Sequence, residues 1–198
     1  MKLYYSATSP YVRKVMACAI ARGLDQQIQR IDTNPHESPA ALVRDNPLSK
    51  VPCLVTEDGM ALFDSPVICE YLDSVGDVIP LFPAPGPARW RALRFQAMGD
   101  GILDAAVLRR QEQGRPAEAA RNAAMERQAQ AVARTLDHLE AEPPTNHLDI
   151  GTITIACALG YLDLRFAAER WREGRPKLAH WFEAMSGRPE IARTAPPA

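Results

Sequence analysis

Short apolar runs alternate with helix-period stretches over residues 1–76. Lys2–Tyr5 predicts a strand, and apolar residues then recur at helical spacing from Pro10 to Arg22. Gly23 follows at once and is a typical residue for ending a helix. A second short strand is predicted at 28–31. The pattern therefore predicts a strand, a helix and a strand in that order.

A hairpin and a further helix are predicted next. After a short helix at 40–44, the runs Cys53–Thr56 and Met60–Phe63 flank Glu57-Asp58-Gly59, where Asp-Gly supplies the positive φ angles of a tight turn. Ser65-Pro66 then opens a helix, because serine is a favoured N-cap and proline fits the first helical position. The predicted order, βαβ followed by ββα, indicates an α/β domain with a mixed four-stranded sheet.

The pattern of apolar and polar residues changes after residue 76. Residues 77–87 lie in the run GDVIPLFPAPGP, whose prolines and glycines predict a linker. Residues 88–198 show helix signals without a convincing strand, which predicts an all-helical bundle domain. Its third helix is apolar around most of its circumference, as expected for the central helix of a bundle. The predicted helices are Ala88 to about Glu112, Ala117 to Glu142, Asp149 to about Ala168, and Pro176 to Ser186.

Composition and charge narrow the range of partners. The 198 residues are 46% hydrophobic, and 23 basic and 24 acidic side chains leave a net charge of -1. Such a balance predicts neither a nucleic-acid nor a membrane partner. The longest apolar run, 150–164, is interrupted by polar residues and is shorter than the roughly 20 residues of a membrane span. The N-terminus lacks an apolar signal core, so a cytoplasmic location is expected.

Cysteine and histidine are too dispersed to predict a metal site. The chain has no C-x-x-C and no histidine at metal-ligand spacing, so we expect buried, reduced cysteines and no metal. A phosphate loop, a dinucleotide-binding glycine pattern and G-x-S-x-G are also absent from the sequence, which excludes several large enzyme classes. The cysteines are Cys18, Cys53, Cys69 and Cys157.

Three local features could carry chemistry. Ser9-Pro10-Tyr11-Val12 stands between the first strand and the first helix, where thioredoxin-type proteins carry C-x-x-C, but it has no cysteine. In 46–54, a cis Val51–Pro52 bond would leave the Val51 N–H and C=O free to pair with an extended peptide. A trans proline that begins an edge strand is the alternative.

The third feature is Phe63-Asp64-Ser65-Pro66, a helix start that favours an anion. Ser65 and the backbone could hold a carboxylate, and Asp64 suits an ammonium group; the alternative is that both residues only cap their helix. Lys50 offers a cation for a second carboxylate. A peptide with an amino-acid head, a central sulfur and a carboxylate tail fits all three features, and glutathione is such a peptide.

With these motifs in the same order and spacing, the sequence resembles the glutathione transferase superfamily over nearly its whole length. The motifs are SPYVRKV from Ser9, NPLSKVP from Asn46 and FDSPVI from Phe63. The resemblance implies a thioredoxin-like N-terminal domain with cis-Pro52 and a helical C-terminal domain. It also implies a homodimer, and glutathione bound mainly by the first domain.

The resemblance further implies a role for each matched residue. Ser9 would donate to the glutathione sulfur, Val51 would pair with the cysteinyl backbone, and Lys50 would meet the glycyl carboxylate. Asp64 and Ser65 would hold the γ-glutamyl end. Because a thiol of pKa about 8.5 is largely protonated at neutral pH, stabilising its anion raises the reactive fraction. Conjugation of glutathione to a small apolar electrophile is therefore favoured.

Some assignments stay open in the sequence. Thr8 is a neighbouring hydroxyl that could replace Ser9, and Arg13 lies either near the thiolate or on an exposed helix face. The run Asp149-Ile150-Gly151-Thr152 exchanges the acidic and hydroxyl residues that the family often shows, which leaves the reciprocal bond of a capping box open. The expected electrophile pocket comprises Tyr11, Met98, Ile102 and Asp104. Helix periodicity explains the apolar members as core residues equally well, and Asp100 or Asp104 could instead reach a partner subunit's ligand.

Two other functions compete with conjugation. A glutathione-binding or regulatory protein without turnover could keep the same fold, because a scaffold does not imply activity. A glutathione-dependent reductase or isomerase would need a catalytic cysteine, and Cys18 and Cys53 are not at the helix start. A serine there cannot form a mixed disulfide, which disfavours that chemistry.

Overall fold

A four-stranded mixed sheet organises the N-terminal part of the chain in the computed structural model, which describes residues 1–76 and 78–197. The strand order is β2-β1-β3-β4; β1 is parallel to β2 and antiparallel to β3, and β3 is antiparallel to β4. This topology confirms the predicted α/β fold. The elements are β1 (Lys2–Tyr5), α1 (Pro10–Ala21), β2 (Gln29–Asp32), α2 (Ala40–Asp45), β3 (Cys53–Val55), β4 (Ala61–Leu62) and α3 (Ser65–Val75).

Local sequence signals explain most of these boundaries. Ser9 caps α1, Pro10 is its first residue, and Gly23 follows the helix with φ of 70°. The β3–β4 turn closes with a hydrogen bond from Thr56 N–H to Met60 C=O at 2.9 Å, and Gly59 has φ of 88°. Glycine is favoured at such angles because it has no Cβ.

The two faces of the sheet are covered by different helices. Tyr4 and Cys53 pair across β1 and β3, and with Leu42 of α2 they form one buried cluster. Leu3 and Leu54 are also paired, point to the opposite face by strand alternation, and are fully buried. Helices α1 and α3 pack against each other. The sheet is therefore an internal layer, which positions its strand ends for the site.

Helices make up the rest of the described chain, as predicted. They are α4 (Pro87–Glu112), α5 (Ala119–Ala141), α6 (Ile150–Arg165), α7 (Pro176–Ser186) and α8 (Pro189–Ala192). Helix α6 is continuously buried from Ile150 to Leu159, which matches the central helix expected from its apolar circumference. Among the residues that the structure describes, no helix is long and apolar enough to cross a membrane.

A complete capping box begins α6. Asp149 Oδ1 accepts a hydrogen bond from Thr152 N–H at 2.8 Å, and Asp149 N–H donates to Thr152 Oγ1 at 2.9 Å. The bond that the sequence left open is therefore present. A threonine hydroxyl at the third helical position reaches the N-cap backbone as a glutamate would.

The chain divides into two compact units. One is Met1–Arg89 together with the segment from Pro189, and the other is Trp90–Arg188. Helix α8 was not predicted, and it contacts α1 within the first unit. The boundaries 1–76, 77–87 and 88–198 stay a prediction, and Asp77 and Ala198 lie outside the described residues.

Candidate active site

The hydroxyl of Ser9 lies at the N-terminus of α1. Its Oγ accepts a hydrogen bond from Val12 N–H at 3.3 Å, and its own N–H donates to Ser6 C=O at 3.1 Å. Because the hydroxyl acts as an acceptor in the cap, its hydrogen can still be donated to an anion beside the helix. Ser9 is partly exposed, and Thr8 is exposed one residue before it.

Arg13, one turn further along α1, is only partly exposed. Its Nη2 donates to Ile191 C=O at 3.2 Å, so the guanidinium contacts the C-terminal segment. The alternative that Arg13 lies on an exposed helix face is therefore wrong. The bond joins residues far apart in the sequence, and a helical pattern cannot indicate such a partner.

The loop before β3 carries the second predicted feature. The Val51–Pro52 peptide is cis, as predicted. Pairing of β1 with β3 ends at Tyr4 and Cys53, so Val51 lies beyond the ladder. No hydrogen bond within residues 1–76 and 78–197 uses its N–H or C=O.

Asn46 shapes this loop, a role that the sequence analysis missed. It is 1% exposed; its Nδ2 donates to Lys50 C=O at 2.9 Å, and its Oδ1 accepts from Leu48 N–H at 3.0 Å. An asparagine before Pro47 is a recognised turn signal that could have indicated it. The Lys50 side chain is exposed and makes no ion pair with the described carboxylates.

The third feature is the N-terminus of α3. The predicted N-cap was Ser65, but the helix already begins at Ser65, one residue earlier than that prediction implies. Asp64 holds the N-cap position, but its exposed side chain makes no capping hydrogen bond. Ser65 is 1% exposed. Since Ile68 makes the first intrahelical bond, to Asp64 C=O at 3.0 Å, the N–H groups of Ser65 and Val67 precede the helical ladder.

The strand register brings these features to one edge of the sheet. The end of β1 pairs with the start of β3, and the start of β3 pairs with the end of β4. Ser9 follows β1, Val51 precedes β3 and Asp64 follows β4. The Ser9 hydroxyl, the Val51 backbone and the Asp64 carboxylate, which makes no capping hydrogen bond, therefore lie along the same edge of the sheet. Sequence distance alone does not show this, because 42 to 55 residues separate the first feature from the others.

The residues predicted for an electrophile pocket lie in both units. Tyr11 is on α1 and is partly exposed. On α4, Ile102 is 1% exposed, Met98 is partly exposed and Asp104 is exposed. Their assembly into one pocket stays a prediction.

The environment of the thiols disfavours cysteine chemistry. All four cysteines are buried and free of disulfides. Burial, and then the negative charge of Asp45, raise the pKa of the Cys53 thiol to about 11. A thiol with this pKa is almost entirely protonated at neutral pH and is a poor nucleophile. Within the described residues, no group of three or more His, Cys, Asp or Glu side chains could hold a metal ion.

Comparison with known proteins agrees with this geometry. A family model for the glutathione S-transferase N-terminal domain matches residues 8–75, and one for the C-terminal domain matches residues 122–184. The GST-like protein YibF of Escherichia coli (strain K12) is 37% identical over 202 residues, covering 100% of this chain and 99% of that protein. The chain belongs to the glutathione S-transferase superfamily.

Some of the solved structures that resemble this chain contain a bound ligand. A glutathione transferase family member from Pseudomonas fluorescens Pf-5 with bound glutathione is similar with a TM-score of 0.93 and 41% identity, covering 100% of this chain and 99% of that one. A glutathione S-transferase from Methylobacillus flagellatus KT with glutathione bound has a TM-score of 0.89 and 34% identity, covering 99% of each chain. Glutathione is therefore bound by structural relatives of this chain.

Proposed function

We propose that this protein is a glutathione transferase that conjugates glutathione to small apolar electrophiles. The observation that carries the proposal is the common sheet edge of Ser9, Val51 and Asp64, with a serine at the start of α1. The glutathione bound by similar structures supports the choice of thiol. Glutathione acts as a co-substrate in this reaction, and no metal is required.

Ser9 would stabilise the glutathione thiolate. Its hydroxyl donates a hydrogen bond to the sulfur, and the positive end of α1 favours the anion. The thiolate attacks the electrophilic carbon, so that a carbon–sulfur bond forms. With an aryl halide, the halide leaves with the bonding electron pair and the thiol proton goes to solvent. A serine hydroxyl thus assists a nucleophile that the co-substrate supplies.

The remaining contacts would hold the peptide in place. Val51 N–H and C=O pair with the cysteinyl backbone beside Pro52, as an added strand would. The carboxylate of Asp64 binds the γ-glutamyl ammonium group, and the Ser65 hydroxyl and N–H bind its carboxylate. The ammonium group of Lys50 meets the glycyl carboxylate. These two roles are supported by the exposure of Asp64 and Lys50, and by the Asp64 carboxylate making no capping hydrogen bond.

The same proposal includes the electrophile pocket and a homodimer. Tyr11, Met98, Ile102 and Asp104 would surround the electrophile, which stays a prediction for all four. A homodimer is proposed because the first unit exposes the apolar side chains of Met60, just before the edge strand β4, and of Val67 on α3. The cytoplasmic location and a role in detoxification also stay predictions.

The test combines binding with turnover in one preparation. Glutathione affinity is measured by calorimetry, and conjugation to a generic aryl halide is measured for wild type, Ser9→Ala and Thr8→Val. We expect all three proteins to bind glutathione. Turnover should fall by about 100- to 1,000-fold in Ser9→Ala, the range for removing one donor to a reacting anion, and should hardly change in Thr8→Val.

Each result bears on a different function. A fall in turnover with Thr8→Val and not with Ser9→Ala would transfer the role to Thr8. Tight binding without turnover against several electrophiles would favour a non-catalytic glutathione-binding protein. Activity that depends on Cys18 or Cys53 would favour a reductase or isomerase. Absence of glutathione binding would refute the proposed function while leaving the fold intact.

A further inference from the structure

A cavity lies within the first unit, between α1, the β1–β2 strand pair and the C-terminal segment. The cavity is small and opens to solvent. Three arginines line it, each from a different segment: Arg13 of α1, Arg30 of β2 and Arg193 after α8. Tyr5 and Ser6, at the end of β1, form part of the wall. The cavity is therefore a site of concentrated positive charge.

The charges of these arginines are only partly balanced. Arg193 Nη2 pairs with Asp25 Oδ2 at 2.6 Å. Arg13 contacts the neutral carbonyl of Ile191, and Arg30 lies over the Tyr5 ring with its Cζ 5.4 Å from the centroid. Neither Arg13 nor Arg30 forms an ion pair with the carboxylates of the described chain. Three cations thus share one carboxylate partner, which leaves room for a bound anion to lower the electrostatic energy.

We propose that this cavity binds a small anion that carries a carboxylate or phosphate group. A guanidinium presents its N–H donors in a planar fork that matches both groups, and clustered arginines are well suited to them. The Arg30 guanidinium lies over the Tyr5 ring beside the cavity, and Ser6, which also lines the wall, has a hydroxyl group as a further potential donor. The ligand class follows from the charge and geometry of the wall.

The cavity is separate from the proposed contacts with glutathione. It is lined from β2 and β1, whereas Val51 and Asp64 lie at the β3 and β4 side of β1 in the sheet order. The two sites meet only through the β1–α1 loop, where Ser6 C=O accepts the Ser9 N–H at 3.1 Å. Glutathione and the anion should therefore bind at the same time.

The test uses the full chain saturated with glutathione. Inorganic phosphate and malonate are titrated separately by calorimetry, with ionic strength held constant by sodium chloride. We expect saturable binding of at least one probe, about tenfold weaker or more in Arg30→Gln, as for loss of a hydrogen bond to a charged group. The tighter probe distinguishes a phosphate ester from a carboxylic acid as the natural ligand.

The matched control removes the same charge elsewhere. Arg127 is exposed on α5, and Arg127→Gln should bind the probe as wild type does. Glutathione affinity measured in Arg30→Gln verifies that this variant is folded. The proposal is overturned if neither probe binds saturably, if Arg30→Gln binds like wild type, or if saturating glutathione abolishes binding. The last result would assign the anion to the glutathione site itself.

Discussion

Tyr4 carries its hydroxyl into the layer between the sheet and α2. The hydroxyl donates to Asp45 Oδ2 at 2.6 Å and lies 3.2 Å from Ala41 C=O. Burial, and then the hydrogen bond to Asp45, raise the pKa of Tyr4 to about 12. The phenol is therefore neutral at physiological pH and is committed to a structural contact. A structural role for Tyr4 in packing α2 onto the sheet accounts for these interactions.

Replacing Tyr4 with phenylalanine should destabilise the protein. We expect Tyr4→Phe to lower the free energy of unfolding by about 1 to 2 kcal/mol at neutral pH, because Asp45 loses the hydrogen bond from the Tyr4 hydroxyl and keeps only those from Arg44 within the described chain. Tyr5→Phe is the matched control, since no hydrogen bond of the Tyr5 hydroxyl occurs within the described chain, and it should change stability by less than about 0.5 kcal/mol. Urea unfolding measures both values, and equal losses would contradict the assignment.

The same pair of variants gives a pH test. A folded pKa of about 12 lies above the usual value of about 10, so the neutral Tyr4 adds stability below about pH 10. That contribution is lost as the pH rises towards 12. The difference in stability between wild type and Tyr4→Phe should therefore be smaller at pH 11 than at pH 8. A difference that grows with pH would show that the phenolate is the stabilising form.

Sequence reasoning found the residues whose signal is local. Ser9 and Asp64 could be predicted at helix starts because capping depends on neighbours within one turn. The bond from Arg13 to Ile191 could not be predicted, because it depends on how the end of the chain returns to α1. Asn46 was overlooked because its two hydrogen bonds act on the loop and not on a recognisable ligand group.

At the scale of elements, α4 and α6 approach each other closely at two glycines. A Cβ on Gly151 would lie 2.5 Å from Ala92 C=O and 2.7 Å from Phe95 Cβ. A Cβ on Gly99 would lie 2.7 Å from Thr154 Cγ2. Real Cβ atoms do not approach backbone oxygen this closely, so the spacing of the two helices depends on these small residues.

Alanine should therefore have opposite effects at two helical glycines. Gly151→Ala should lower the free energy of unfolding by about 1 to 3 kcal/mol through overpacking. Gly101→Ala, on α4 and with nothing within 4 Å of the added Cβ, should raise the free energy of unfolding by about 0.5 to 1 kcal/mol through helix propensity. Thermal and urea unfolding give both signs. Stabilisation by Gly151→Ala would refute the close packing of α4 and α6.

Bounds were predicted closely where the local signal is clear, in the short strand β1 as well as in several helices, whereas α6 ends at Arg165 and not near Ala168. Helix α7 has the predicted bounds, and α1 and α4 differ from prediction by one residue at one end, because apolar periodicity is clear over many turns. Helix α8 has four residues, and a single buried apolar residue in one turn cannot define a period. The capping box of α6 depends on a threonine in place of a longer side chain, so the sequence pattern alone did not predict its second hydrogen bond.

At the scale of the whole molecule, the C-terminal segment completes the first unit. Ile191 of α8 is fully buried, and α8 contacts α1. Polar contacts flank this residue on the same segment: Arg13 donates to Ile191 C=O, and Arg193 pairs with Asp25. The predicted division at residue 88 did not anticipate this arrangement, because nothing in a local pattern shows that the chain returns.

Truncation of Ile191 should reveal how much the segment contributes. Ile191→Ala should lower the free energy of unfolding by about 2 to 5 kcal/mol, as for other fully buried isoleucines. Ile79→Ala makes the same chemical change at a residue that is 74% exposed and should alter stability by less than about 0.5 kcal/mol. Denaturant unfolding compares the two. Similar small effects would mean that the segment is not docked on α1 in solution.

The return of the chain to its first unit has a consequence for protein engineering. The polypeptide leaves that unit after Arg89 and re-enters it at Pro189, so in topological terms the helical unit is an insertion within the other. A reporter fused at the C-terminus is thereby attached to the unit that contains Ser9. A chain that stops at Arg89 lacks Ile191 and leaves part of α1 uncovered, so the thioredoxin-like half needs the last residues of the sequence.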